Sequence, residues 1–199
     1  MLNPHFVILG VVISFAGNLF YLRDTLQGKN QPNRISWFMW TLAPLIAFAA
    51  ELQQGVGLQA LITFMAGFNP LLIVIASFVN KRAVWKLTAF DFACGILSLL
   101  GLVLWLLSGH GDIAIALSIL ADAFAALPTI AKSYTHPQSE SWLNFFAAAI
   151  GAAITLLTIR TWDFANYAFP LYILGICIIF TLLIRFELGV RLRRLFAAA

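Results

Sequence analysis

Charged residues are scarce in this chain: Asp, Glu, Lys and Arg together make up 10% of its 199 residues. Soluble globular domains carry about 25% charged residues. A water-soluble fold of this size exposes too much surface to hide a content of 62% hydrophobic residues. The composition therefore excludes a soluble enzyme, a disordered chain and a secreted module held by disulfides, and it indicates a chain embedded in lipid.

Residues that carry catalytic or metal chemistry are also rare. The two cysteines, Cys94 and Cys177, lie in apolar stretches and have neither metal-ligand nor disulfide spacing. There is no glycine-rich phosphate-binding loop, and the last apolar run has no lysine for a Schiff base. We therefore expect no enzymatic activity, no cofactor and no bound metal. The net charge of +4 is explained by membrane topology, so no nucleic-acid partner is expected.

What the chain has instead is seven apolar runs, each near the roughly 20 residues with which a helix crosses a bilayer. Short connections with helix breakers, such as Gln53-Gln54-Gly55, separate the runs. Helices are required because lipid offers no partner to an unpaired backbone group. The sequence thus predicts an all-α integral membrane protein whose spans cover residues 5–23, 35–52, 58–79, 87–108, 112–134, 141–160 and 164–186.

Lysine and arginine lie almost entirely on one side of these spans. Of the 12 basic residues, only Arg160 falls on the opposite side. The positive-inside rule then places the N-terminus outside and the C-terminus inside, with residues 187–199 as a basic cytoplasmic tail. The first run lacks the basic segment and cleavage site of a signal peptide, so we expect a retained helix. The expected location is a bacterial cytoplasmic (inner) membrane, and homo-oligomerisation is left open.

The chain matches itself at a shift of 105 residues, which aligns Pro32 with Pro137 and Trp37 with Trp142. Both segments follow one apolar run and open the next on the basic side. Such a short match also arises when Pro and Ser start helices and Trp lies at the headgroups. A true repeat would give two parallel three-helix units, residues 1–79 and 109–186, joined by a linker helix at 80–108. Parallel repeats hold a solute site near the middle of the membrane.

This three-plus-one-plus-three order resembles the SWEET and PQ-loop transporter superfamily. Leu127-Pro128-Thr129-Ile130 followed by Ser139-Glu140 is similar to the proline-threonine and serine-glutamate spacing of SWEET repeats. In the first half, Arg23-Asp24 and Arg34-Ile35 stand at the matching positions, which departs from that pattern. The resemblance implies a carrier of small polar solutes, and it favours the superfamily more than its sugar-carrying branch.

Asp122 is the deepest ionisable residue. It lies about ten residues, or roughly 15 Å, inside the fifth span. Because an ionisable group at that depth is costly, we interpret Asp122 as a functional carboxyl that binds a cationic group, takes up a proton or accepts hydrogen bonds from hydroxyls. The alternative is a structural carboxyl bonded to a neighbouring helix. Glu51 and Asp91, nearer to helix ends, are attributed to snorkelling and local pairing.

Asn69 lies midway along the third span and directly precedes Pro70, whose ring frees the carbonyl of Ala66. An amide beside a free carbonyl offers donors and acceptors to a polar solute. The alternative is an amide that bonds to a neighbouring helix. The resemblance also favours an asparagine in the pocket at this position.

Aromatic residues complete the hypothetical pocket. Trp37 and Trp40 share a helix face, as do Trp142 and Phe145. We interpret Trp37 and Trp142 as interfacial anchors or gates, and Trp40 as a pocket residue. The candidate solute-binding residues are Asn18, Trp40, Asn69, Asp122, Asn144 and Phe145. The candidate hinges are prolines inside the spans, namely Pro44, Pro70, Pro128 and Pro170.

The sequence therefore predicts a transporter or facilitator of a small polar solute, such as a sugar-like compound, an amino acid or a vitamin. Alternating access between the two repeats would move the solute, and proton coupling through Asp122 is part of this hypothesis. The alternative is a membrane sensor of the PQ-loop type that binds a ligand without transporting it.

Overall fold

The computed structural model describes residues 2–80, 85–108 and 111–197. Lys81 and Arg82, counted above among the basic residues, and Gly109, the expected start of the second repeat, lie outside this part. The described residues form helices and no strands. The α-helices are α1 (Phe6–Leu26), α2 (Arg34–Gln53), α3 (Ala60–Val79), α4 (Ala89–Ser108), α5 (Gly111–Thr135), α6 (Trp142–Thr158), α7 (Phe164–Arg185) and α8 (Leu188–Ala197).

Helices α1 to α7 occupy the seven predicted positions. Their bounds differ from the predicted ones by at most three residues, and the largest difference is at the end of α1, which reaches Leu26 instead of Arg23. Five of them (α1, α2, α3, α5 and α7) are long and apolar enough to cross a membrane, and α4 and α6 carry shorter apolar stretches. The prediction of helical apolar elements is confirmed.

The distribution of side chains is the reverse of that in a soluble protein. Large apolar side chains such as Phe78 and Ile96 are 63% and 60% exposed, whereas Asn18 and Ser118 are fully buried. An apolar surface around a partly polar interior is suited to lipid, where only internal partners satisfy polar groups. These features are those of a helical membrane protein.

The neighbours of each helix follow a regular pattern. Helix α3 packs against both α1 and α2, and α7 packs against both α5 and α6. Between these two groups, α1 packs on α6 and α2 packs on α5. Exchanging α1–α3 with α5–α7 therefore maps these contacts onto themselves. Helix α4 packs against α5 and α2 at the edge of this arrangement and exposes many of its large apolar side chains.

Small residues bring α1 and α6 close together. A Cβ atom on Gly151 would lie 2.7 Å from the carbonyl oxygen of Gly10, and a Cβ atom on Gly17 would lie 2.3 Å from the Cβ atom of Ala147. A larger residue would push the two backbones apart. The glycines thus permit the close approach that drives helix association in lipid, where no hydrophobic effect operates between helices.

One end of the bundle gathers most of the basic residues. The N–H of Gln31 donates to the carbonyl of Ser139 at 2.9 Å, and the amide of Asn33 donates to the carboxylate of Asp91 at 2.6 Å. These bonds join the connection before α2 to the starts of α4 and α6. We name this end the basic side, because Arg23, Lys29, Arg34, Lys86, Lys132 and Arg185 lie at it.

The opposite end is joined by other contacts. The N–H of Leu2 donates to the carbonyl of Leu157 at 2.9 Å, and the amide of Gln59 donates to the carbonyl of Thr158 at 3.4 Å. The starts of α1 and α3 therefore meet the end of α6. Together with the contacts at the basic side, this arrangement makes successive helices run in opposite directions.

The segment predicted as a basic tail forms helix α8 on the basic side. The guanidinium of Arg193 donates to the carbonyl oxygens of Tyr134 and Thr135 at 3.3 and 3.2 Å. These carbonyls stand at the end of α5, where the helix supplies no donors of its own. Arg193 therefore holds α8 against α5.

Candidate functional site

A cavity of about 70 Å³ lies between the two groups of three helices. Its walls come from α1, α2, α3, α5, α6 and α7, and among the described residues α4 contributes none. The volume has room for roughly five water molecules. The structure brings five of the six candidate solute-binding residues together in these walls, namely Trp40, Asn69, Asp122, Asn144 and Phe145.

Asp122 is the carboxylate of the cavity and is 3% exposed. The hydroxyl of Tyr172 on α7 donates to its Oδ2 at 2.6 Å. The indole N–H of Trp40 on α2 donates to the backbone carbonyl of Asp122 at 3.3 Å. Within the described residues, the carboxylate has no other hydrogen bond. One oxygen of Asp122 is thus left for a ligand in the cavity.

The two asparagines of the cavity are also incompletely bonded. The amide nitrogen of Asn69 donates to Oγ of Ser14 at 3.3 Å, while its Oδ1 has no partner among the described residues. Asn144, at 8% exposed, makes no side-chain hydrogen bond within the same part of the chain. A buried polar group without a partner costs free energy. Both amides are therefore open to a polar ligand.

Four rings form the aromatic wall of the cavity, which consists of Trp37, Trp40, Phe145 and Phe180. Phe145 and Phe180 stack with their ring centres 4.5 Å apart. Trp40 meets the edge of Phe180 at 5.6 Å and that of Trp37 at 5.4 Å. Such tilted and offset contacts are the favourable geometries for aromatic pairs. The wall is therefore a well-packed surface, to which α2, α6 and α7 contribute.

The two tryptophans interpreted as anchors or gates are placed differently. Trp37 is 1% exposed and contacts Tyr21 with ring centres 4.6 Å apart. Trp37 therefore lies in the interior. An interfacial anchor would instead be exposed at the membrane boundary. Trp142 is half-buried, and the guanidinium of Arg185 lies over its ring at 5.5 Å. Trp142 thus remains at the basic boundary.

Of the six candidate solute-binding residues, Asn18 is the one that does not line the cavity. Its side chain is fully buried, and neither of its amide atoms has a hydrogen-bond partner among the described residues. It lies one turn along α1 from Ser14, a cavity residue, toward the basic side.

The four candidate hinge prolines, Pro44, Pro70, Pro128 and Pro170, are buried inside α2, α3, α5 and α7. Of these, Pro70 lines the cavity. Each removes one backbone donor from its helix.

Several residues that line the cavity or bond to its walls were missed by the sequence reasoning. Ser14, Tyr172 and Phe180 bond to or pack against candidate residues. Tyr172 had a detectable signal, because a phenol within an apolar span needs an internal partner for its hydroxyl. Cys177, interpreted only as a buried thiol, also lines the cavity.

A second polar cluster lies on the basic side, and we name it the basic-side network. It consists of Tyr21, Lys132 and Glu140, which are 0%, 2% and 7% exposed. Lys132 Nζ lies 2.5 Å from Glu140 Oε1, and the Tyr21 hydroxyl donates to Glu140 Oε2 at 2.5 Å. Lys132 also donates to the carbonyl of Gln31 at 2.5 Å. Both carboxylate oxygens of Glu140 are therefore engaged.

The network and the aromatic wall meet at one residue. Tyr21 bonds to Glu140 through its hydroxyl, while its ring packs on Trp37 of the wall. The wall and the network thus form one layer of contacting side chains, which lies toward the basic side of the cavity. A path from the cavity through this layer would require these contacts to part.

The two carboxylates attributed to snorkelling and local pairing are both buried. Thr63 donates to Glu51 at 3.0 Å, and Glu51 is 1% exposed, so the prediction of snorkelling is wrong for this residue. Asp91 accepts from Thr88 Oγ1 at 2.7 Å and from Asn33. The partner of Glu51 comes from α3 and one partner of Asp91 comes from the residue before α2, and sequence spacing reveals neither.

No group of three or more His, Cys, Asp or Glu side chains among the described residues is placed to hold a metal ion. No family model, curated protein or solved structure matches the chain. The functional interpretation therefore rests on the fold and on the cavity.

Proposed function

We propose that this protein is a membrane transporter or facilitator of a small polar solute. The observation that carries the proposal is a cavity lined by residues of six helices, among them Asn69, Asp122 and Asn144, whose side chains have few hydrogen-bond partners within the described residues. Buried polar groups of a stable bundle are normally paired. Three polar side chains without full protein partners in one place form a site whose hydrogen bonds a polar solute can complete, in exchange for water.

The proposed architecture has seven spans in a three-plus-one-plus-three order, with the N-terminus outside and the C-terminus inside. The exchange symmetry of the helix neighbours and the peripheral place of α4 support this order. So does the position of the cavity between the two groups, where parallel repeats hold their solute. The same order supports the resemblance to the SWEET and PQ-loop superfamily.

Alternating access would proceed by parting the layer on the basic side. The aromatic wall and the basic-side network lie between the cavity residues and that side of the bundle. The prolines inside α2, α3, α5 and α7 leave carbonyls without donors, and these positions can bend as the groups rock. If the cavity closes toward one face of the membrane before it opens toward the other, the bound solute crosses the membrane.

A ligand-binding sensor is the second candidate. The cavity of about 70 Å³ would serve a sensor as its binding site, because a sensor needs no path through the membrane. Saturable binding without flux distinguishes the sensor from the carrier.

Flux into liposomes that contain only this protein tests the proposal. We expect saturable uptake of at least one solute from a panel of labelled sugars, amino acids and small amines, measured with and without a pH gradient. Protein-free liposomes and the Asp122→Asn variant serve as controls. Binding of a panel member without uptake of any would support the sensor, and absence of both would contradict both candidates.

A further inference from the structure

The charge of the cavity is unbalanced. Asp122 is the one carboxylate in its walls, and no Lys, Arg or His side chain is found among the described residues that line it. The nearest lysine along α5, Lys132, is engaged with Glu140 on the basic side. A buried carboxylate without a cationic partner is strongly disfavoured. A ligand that brings a positive charge would remove this cost.

Three free oxygens of the cavity can accept hydrogen bonds. They are one oxygen of Asp122, Oδ1 of Asn69 and the amide oxygen of Asn144. A primary ammonium group has three N–H donors and no acceptor, so it can donate to all three. Because the amide nitrogen of Asn144 keeps its own N–H donors, the preference for a cation over a neutral hydroxyl compound comes from the charge of Asp122.

The aromatic wall adds to the preference for a cation. The faces of tryptophan and phenylalanine rings attract positive charge, most strongly where water is excluded. Trp40 and Phe145 are 7% and 4% exposed and border the same cavity as Asp122. A cation bound by the carboxylate would therefore lie against apolar rings that tolerate it.

We propose that the solute is a small primary ammonium cation, bound with its N–H groups on Asp122, Asn69 and Asn144 and its apolar part against the aromatic wall. This inference rests on the proposed function, because it names the substrate class of the same cavity. The cavity volume of about 70 Å³ is enough for a compound of a few non-hydrogen atoms.

Calorimetric titration of the purified protein with methylammonium chloride tests the inference. The comparison salts are sodium chloride and tetramethylammonium chloride, which has a charge but no N–H donor. We expect methylammonium to bind and each comparison salt to bind at least tenfold more weakly. Equal binding of sodium or tetramethylammonium would overturn the inference.

Variants show whether the carboxylate is responsible. Asp122→Asn keeps the shape and removes the charge, and we expect at least a tenfold loss of methylammonium affinity. Asp112→Asn is the matched control, because Asp112 is exposed at the start of the same helix, and its affinity should stay within twofold. Asp122→Glu keeps the charge and should bind more tightly than Asp122→Asn. If all three variants bind methylammonium with equal affinity, the inference is contradicted. This holds even if one variant is less stable than the others.

Liposome uptake separates this inference from the proposed function. Uptake of labelled methylammonium that depends on Asp122 supports both. Uptake of glycerol or a sugar without methylammonium binding supports the carrier and overturns the ammonium cation as solute. Methylammonium binding without uptake of any solute supports the cation site and contradicts the carrier.

Discussion

Two ionisable residues on α5, Asp122 and Lys132, are almost equally buried, but they differ in how fully their charged groups are paired. Lys132 has an ion pair with Glu140 and a backbone acceptor, and Glu140 is completed by Tyr21. Asp122 has one tyrosine hydroxyl on one oxygen and a cavity beside the other. The basic-side network is therefore fully paired, whereas the cavity has an incomplete set of bonds, and this difference supports the proposal that the cavity binds a solute.

The largest effect is expected when the positive charge of the network is removed. Lys132→Met leaves the carboxylate of Glu140 buried without a cation. We expect a loss of about 3–5 kcal/mol of stability, because breaking a buried ion pair strands the remaining charge. Thermal unfolding in detergent measures it.

Two controls accompany this change. The double variant Lys132→Met with Glu140→Gln removes both charges and should recover most of the lost stability. Arg23→Ala breaks the exposed pair with Asp24 and should cost less than about 1 kcal/mol. If Lys132→Met is no more harmful than Arg23→Ala, the network has no structural role.

A smaller effect is expected at the junction of the network and the aromatic wall. Tyr21→Phe keeps the ring on Trp37 but removes the hydroxyl that donates to Glu140. We expect a loss of about 1.5–3 kcal/mol, as for a hydrogen bond to a charged group. Thermal unfolding of Tyr167→Phe, a change at a half-buried tyrosine that makes no side-chain hydrogen bond within the described residues, is the matched control. Equal stabilities would show that this bond does not hold the layer together.

In the cavity, the same kind of change should affect function and leave stability almost unaltered. In Asp122→Asn, the amide oxygen still accepts from Tyr172, so we expect a stability within about 1 kcal/mol of the wild type. Solute flux should fall about tenfold or more, because a charge-assisted bond to the solute is lost. A large loss of stability with unchanged flux would mean that Asp122, like Lys132, has a structural role and does not bind the solute.

The smallest effect on stability is expected at Asn144 in the cavity. Asn144→Leu replaces an amide that has no side-chain partner among the described residues with an apolar group of similar size. We expect equal or slightly higher stability, by up to about 1 kcal/mol, together with reduced flux. Paired measurements of unfolding and uptake check this. A clear loss of stability would mean that Asn144 has a structural partner.

The helices and part of the cavity could be predicted from the sequence, for one physical reason. In lipid, about 20 apolar residues must fold as a helix, and a polar residue inside such a run must face the interior. Trp40, Asn69, Asp122, Asn144 and Phe145 were selected on polarity, aromatic character and depth, and they line one cavity.

Partners from distant parts of the chain could not be predicted in this way. Tyr21 and Glu140 are 119 residues apart, and nothing in the helical period indicates that they meet. Trp37 shows the same limit, since its place near a span end is typical of an anchor, while packing on Tyr21 buries it. Helix α8 escaped prediction because it is short and basic and lacks an apolar run.

The most direct test of alternating access uses the native Cys177, which lines the cavity, in a Cys94→Ala background. A membrane-impermeant methanethiosulfonate with a trimethylammonium group is added to one face or the other of sealed vesicles, with Cys94→Ala/Cys177→Ala as the unlabelled control. The account predicts that Cys177 is modified from both faces and that a transported solute slows the modification. Modification from one face alone, or from neither, would contradict it.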